Sequence, residues 1–229
     1  MKITILTLFP EMFTGPFSHS IIKRAKEKKV VEINLKDIRD FGLGKHQVVD
    51  DTPYGGGKGM ILRVDVLEEA IENARDKILK GKGEKIILLS PHGKTYNQEI
   101  ALNLSKLNHL ILICGHYEGI DARVDNFIDS KISLGDFIVT GGEIPAMIIV
   151  DSVTRLLKGV LKEGVTEAES FSSFLEHNQY TKPSEYKGLK VPEVLLSGNH
   201  KKIEEYKNNE SEEITKKLRP DLIKKAKKE

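Results

Sequence analysis

The chain has 229 residues, with 36 Lys and Arg against 34 Asp and Glu, and it is 39% hydrophobic and 31% charged. A chain this long buries around 70% of the surface its unfolded form exposes, so it builds its own core as one large domain or one with a small appendix. No apolar run approaches the roughly 20 residues of a membrane span, the lone Cys114 excludes an internal disulfide, and a net charge of +2 neither demands nor excludes nucleic acid.

Residues 2–9 (KITILTLF) are rich in β-branched side chains and predict a buried strand, stopped by Pro10. No small-residue cleavage site follows, so a secretory signal is not expected, and a single cysteine fits the reducing cytoplasm. A helix is expected over about 18–28 and a second strand over 30–38. Residues 39–64 are polar and Gly-rich and predict a long loop, of the kind that is usually functional or disordered. Asp65 then opens a helix, with Glu68 placed as in a capping box and Leu67, Ala70, Ile71, Ala74 and Ile78 on one face. Strand 85–90, helix 97–105, strand 109–114, helix 120–127, a strand within 131–139 and an apolar helix over 145–157 complete the series. This alternation predicts an α/β fold: a mostly parallel sheet with helices on both faces. After about residue 160 the chain turns polar, with short helices and many Lys and Glu. Domain boundaries are expected at 1–160, a linker at 161–171 and a small all-α domain at 172–229, ending in the solvated tail KKAKKE.

Three strands run into loops of Gly and small polar residues: SPHGK (90–94), CGHYEGID (114–121) and LGDFIVTGGEIP (134–145). Ligands bind beyond the carboxyl ends of strands in open parallel sheets, so three such loops predict one small-molecule pocket with much backbone recognition. Gly93-Lys94-Thr95 ends like a P-loop, but Leu88 stands where the first Gly is required, and no GxGxxG enters a helix. The spacing leaves the ligand unnamed. The seven scattered histidines, without HExxH or CxxC, predict no metal site. In the stretch His46 to Met60, four glycines follow Pro53 and Tyr54. Ordering it is costly, and Pro53 and Tyr54 read as anchors of a loop that orders around a substrate. Asp50 and Asp51 have the chemistry of metal ligands, although paired loop acids are more often solvated or capping. Arg155 follows Met147, Ile148, Ile149, Val150 and Val153 on the apolar helix, where it either snorkels or, beside a pocket, stabilises developing negative charge.

The motifs PYGGGKGM, SPHGKTYNQEIA, CGHYEGIDARV, SLGDFIVTGGEIPAM and VPEVLLSGNH fall in the order seen in bacterial tRNA (guanine-N1)-methyltransferases, and the resemblance covers essentially the whole chain. That family belongs to the knotted SPOUT methyltransferases. The resemblance implies a trefoil knot within 85–145 and S-adenosylmethionine as cofactor, with magnesium as a further candidate. It implies a homodimer with shared active sites, tRNA as the partner and no membrane association. The implied reaction methylates N1 of the guanosine immediately 3′ of the anticodon.

By position, the resemblance implies cofactor contacts at Leu89, Ser90, Pro91, Gly115, Tyr117, Glu118, Gly119, Leu134, Gly135, Asp136, Phe137, Ile138, Val139, Gly141, Gly142 and Pro145. Substrate contacts are expected at His46, Asp50, Tyr54, Gly55, Lys58, Ser170, Lys182 and Lys201. The family's essential arginine matches Arg155, and its catalytic aspartate matches Glu169, longer by one methylene. Gln179 and Lys182 replace the His and Arg usual in the 177–183 stretch, and Lys lacks the planar guanidinium fork. Guanine N1 carries a proton at neutral pH, so a carboxylate is expected to remove it and a guanidinium to stabilise charge on O6. Phe171 and Tyr180 are candidates to stack on the base, with burial in the small domain as the plainer expectation. Two rivals remain: a SPOUT enzyme acting on another RNA atom, and an RNA-binding protein impaired in catalysis by the Asp-to-Glu change.

Overall fold

The computed structural model describes residues 1–79, 82–166, 169–171 and 174–226. The chain divides into two compact units, Met1–Leu161 and Lys162–Glu229. Residues 167 and 168 of the expected linker and 227–229 of the tail lie outside the described residues.

The first unit runs β1 (Lys2–Thr7), α1 (Ser20–Glu27), β2 (Glu32–Asp37), β3 (Asp50–Asp51), β4 (Ile61–Leu62), α2 (Val64–Ala74), β5 (Glu84–Thr95), α3 (Gln98–Leu104), β6 (His109–Cys114), β7 (Ser130–Ser133) and α4 (Glu143–Thr154). Its central sheet has the order β2-β1-β6-β5-β7, with every pairing parallel. The period of two along each strand divides the side chains between two cores. Ile3, Ile5, Ile87, Leu89, Leu110 and Leu112 pack with Ile22, Leu104, Ile149 and Val153 from α1, α3 and α4. Leu6, Ile86, Leu88, Ile111 and Ile113 pack instead with Leu67, Ala70 and Ile71 of α2. Both faces are therefore covered, which is why these strands read as continuous apolar runs. Each fully buried Ile or Leu contributes about 1.5–3 kcal/mol of burial free energy.

A polar network joins the starts of β5 and β6 to β1. His109, buried on β6, lies 2.8 Å from Glu84 Oε2 through Nδ1 and 2.9 Å from Thr4 Oγ1 through Nε2. The neutral ring satisfies both, donating from Nδ1 to the carboxylate and accepting the Thr4 hydroxyl at Nε2. Burial holds the His109 pKa below the usual imidazole value and outweighs the opposing pull of Glu84.

Some elements differ from expectation. Helix α2 starts at Val64 with no side-chain cap, and Asp65 instead pairs with Arg63 at 2.8 Å. The helix ends at Ala74, because the Asp76 N–H turns to Glu84 Oε2 at 2.8 Å, and Ile78 is left 90% exposed. Residues Ala122–Asn126 form a short 3-10 turn rather than an α-helix, held by the Asp121 side chain accepting from Arg123 N. Strand β5 does not stop at Ser90. Leu89 and Lys94 both align with Ile132, so Ser90–Gly93 bulge out of the sheet before pairing resumes.

The second unit is not wholly helical. A two-stranded ribbon, β8 (Glu185–Tyr186) and β9 (Leu189–Lys190), precedes α5 (Glu193–Leu196), α6 (His200–Leu218) and α7 (Pro220–Ala226). Asn199 caps α6 by accepting from Lys202 N, as expected for an Asn at that position. Buried Thr215 accepts the Leu175 N–H at 2.8 Å, and Glu210 accepts Asn178 Nδ2 at 2.9 Å, tying the segment before the ribbon to α6.

Candidate active site

The connection from β5 to β6 leads to one side of β5, and the connection from β6 to β7 returns across β5 to the other. Strand-order reversals of this kind open a crevice at the carboxyl ends. A cavity of about 530 Å³ lies there, within the size range of cofactor pockets. Ser90, Pro91 and His92 of the bulge form one wall, the Gly115–Asp121 loop a second and the Leu134–Gly142 segment a third.

The structure brings together Leu89, Ser90, Pro91, Gly115, Tyr117, Glu118, Gly119, Leu134, Gly135, Phe137, Ile138, Val139, Gly141, Gly142 and Pro145 on this one cavity. Asp136 is the exception and is exposed. The Phe137 N–H bonds the Gly135 carbonyl at 2.9 Å, so Asp136 sits at the apex of a tight turn. The wall also holds His92, His116 and Thr140, which lie inside the quoted motifs but which the sequence reading passes over. Their position between strand-end glycines was the available signal. Gly142 is also needed for the packing of the chain itself. A Cβ on Gly142 would meet the chain itself, 2.5 Å from Cys114 Cα and 2.8 Å from Gly115 N. The glycine lets the third wall close onto β6. Cys114 beneath it is fully buried, and burial, then the charge of Glu143, pushes its thiol pKa well up, which makes it an inert core group.

The Gly-rich loop is anchored at its far end. Glu118 N donates to Met60 O at 3.1 Å, Leu62 N to Gly119 O at 3.0 Å and Asp121 N to Leu62 O at 3.0 Å. The loop is thus stitched to the second wall of the cavity. Tyr54 is 99% exposed. Gly55, Gly56, Gly57 and Gly59 all have φ between +80° and +148°, a region that penalises any side chain. His46, Gly55 and Lys58 are exposed, and Asp50 is half-buried on β3. Asp51 binds Arg63 at 2.8 Å and accepts from Thr52 N at 2.8 Å. Tyr54, Arg63, Asp121 and Arg123 line a second cavity of about 440 Å³, where Arg123 holds Asp121 below the usual carboxylate range. Among the described residues no three His, Cys, Asp or Glu side chains converge as a metal site.

Arg155 is half-buried at the C-terminus of α4, where its N–H bonds Asp151 O at 3.1 Å. In the second unit Glu169 and Ser170 are half-buried, and the Ser170 hydroxyl accepts from Glu176 N at 3.0 Å. Phe171 is 49% and Tyr180 47% exposed, so neither is a core ring, and the Arg219 guanidinium lies 5.7 Å over the Phe171 ring. Lys182 and Lys201 are exposed.

A family model described as tRNA (Guanine-1)-methyltransferase TrmD matches residues 1–225. Curated relatives named tRNA (guanine-N(1)-)-methyltransferase align along nearly the full chain. That of Clostridium beijerinckii is 52% identical over 98% of this chain and 93% of its own length. The Dictyoglomus turgidum relative is 50% identical over 99% and 91%, and that of Bacillus pumilus 52% over 97% and 92%.

Proposed function

We propose, since this chain belongs to the tRNA (guanine-1)-methyltransferase family, that it transfers a methyl group from S-adenosylmethionine to N1 of the guanosine immediately 3′ of the anticodon in tRNA. The observation that carries the reading is the cavity at the ends of β5, β6 and β7, in a chain that aligns end to end with relatives so named. The cavity fits the cofactor class: backbone from three strand-end loops lines it, with Leu134, Phe137, Ile138 and Val139 as an apolar wall for a flat base. S-adenosylmethionine supplies an electrophilic methyl on a sulfonium.

The residues of this chain do the rest. Glu169 is assigned as the general base that accepts the N1 proton as the N–C bond forms, and it later returns that proton to solvent. Arg155 stabilises the negative charge that grows on guanine O6. The Gly-rich loop, with His46, Asp50, Tyr54, Gly55 and Lys58, holds the target base and its neighbour, which leave their stack to be reached. Ser170, Lys182 and Lys201 contact the RNA from the second unit. No step is routed through magnesium.

We further assign a homodimer with shared active sites, in the cytoplasm. Ile144 and Ile148 stand one turn apart on α4 and are 48% and 46% exposed, leaving an apolar face outside the core. The chain path across β5, with Gly142 pressed against Cys114, is compatible with the trefoil knot of SPOUT proteins. Among the described residues no helix is long and apolar enough to cross a membrane. The test is methyl transfer from labelled S-adenosylmethionine to unmodified bulk tRNA, followed by mapping of the labelled nucleotide. The reading expects N1-methylguanosine beside the anticodon. Label on a ribose or another base, or no transfer, would overturn it.

A further inference from the structure

Glu143 is 2% exposed, at the first position of α4, directly behind the third wall of the cavity. Its Oε1 accepts the Thr7 hydroxyl at 2.7 Å, and the same hydroxyl accepts Phe9 N at 3.0 Å. Its Oε2 faces Gly141, where a Cβ would collide with it and stand 2.9 Å from His116 Nδ1. That imidazole nitrogen is itself buried and has no hydrogen-bond partner among the described residues. Glu143 makes no ion pair with a Lys, Arg or His side chain among the described residues. The helix N-terminus offsets part of the cost of burying the carboxylate. A buried anion without a cation remains expensive, and here it stands against Gly141, which lines a ligand cavity.

We propose that Glu143 is a specificity determinant: its carboxylate, held behind Gly141 without a cationic partner, makes the cavity favour a cationic nucleoside over its neutral counterpart. The inference rests on the S-adenosylmethionine reading above. The cofactor carries a sulfonium charge, and the thioether left after methyl transfer carries none. A carboxylate fixed in a low-dielectric wall distinguishes the two without touching either, so it also favours release of the spent cofactor. Thr7 and the α4 N-terminus hold the charge in place.

The alternative is a purely structural role, with Glu143 pinning α4 to β1 through Thr7. That role predicts equal losses for charged and neutral ligands, which separates the two ideas. The experiment is calorimetric titration of the full-length protein and Glu143→Gln with S-adenosylmethionine, S-adenosylhomocysteine and sinefungin, whose ammonium replaces the sulfonium. Glu143→Gln should weaken both cationic ligands on the order of tenfold, the effect of one unit charge across several ångströms of protein, and leave S-adenosylhomocysteine within about twofold. Glu143→Asp should keep the wild-type ratio, because it keeps the charge. Equal loss for all three ligands, or none for any, overturns the proposal. If Glu143→Gln does not fold, the wild type still decides: equal affinity for sinefungin and S-adenosylhomocysteine overturns this inference alone. Failure of the wild type to bind any of the three overturns the cofactor reading and this inference with it.

Discussion

Gly142 lies against Cys114 so closely that a Cβ on Gly142 would stand 2.5 Å from the Cys114 Cα. The partner atom is strand backbone, which cannot step aside as a side chain would. Gly142→Ala should therefore cost roughly 1–3 kcal/mol, the usual range for overpacking. Urea unfolding should show the loss, and calorimetry should show S-adenosylmethionine binding falling with it. A variant of wild-type stability would mean that the third wall has slack.

Gly59 and Glu118 meet where the Gly-rich loop is sewn to the cavity. Gly59 has φ +86°, and a Cβ there would lie 2.5 Å from Glu118 Cγ. Gly59→Ala should strain the backbone and displace Glu118, at a cost of about 1 kcal/mol or more. Amide exchange at Leu62 and Asp121, both donors in the seam, should accelerate while β6 amides stay protected. Unchanged exchange at Leu62 would show that the seam tolerates the change.

His109 makes stability depend on pH with a definite sign. Its folded pKa lies below the unfolded value of about 6.5, so the unfolded chain binds more protons as pH falls. The contribution is fully present above about pH 6.5 and is lost as pH drops from there toward the depressed folded value. Urea midpoints should fall between pH 7 and pH 5. His109→Gln, less stable at pH 7, should lack this component of the slope. An imidazole that titrates at or above the ordinary value in NMR would contradict the assignment.

The carboxylate of Glu169 carries the base assignment. Glu169→Gln should slow single-turnover methyl transfer by roughly 10²–10⁴-fold, the range of general acid–base catalysis. Binding of tRNA and cofactor should hardly change, because the effect lies in the transition state. Glu169→Asp should be slower than the wild type if the chain is adjusted to the longer reach. Near-normal transfer by Glu169→Gln would remove this residue from the mechanism.

Exposed lysines in the second unit should make tRNA binding salt-dependent. Neutralising Lys182, Lys201 and Lys202 together should reduce the slope of log K against log salt by about 2–3 units, from roughly 0.7–0.9 per phosphate contact. Cofactor affinity should stay constant. A slope unchanged by the triple substitution would place the phosphate contacts elsewhere.

Strand order along the chain, the two-sided burial of β1, β5 and β6 and the clustering of Gly-rich strand ends were all legible in the amino-acid order. They rest on local physics: a period of two along a strand, a period of 3.6 along a helix and glycines at turns. The motifs likewise identified the family, because long runs of matching residues leave little room for chance. Only the tertiary structure decided the rest. It ended α2 before Ile78, through a bond from Asp76 to Glu84. It folded Ser90–Gly93 out of β5, and it set Asp136 at the exposed apex of a tight turn between residues that line the cavity. It buried Glu143 against Thr7, 136 residues earlier in the chain, where a reading of neighbours finds only another acid at a helix start. Such features depend on which distant groups meet and on what water can reach, and neither is a property of a sequence window.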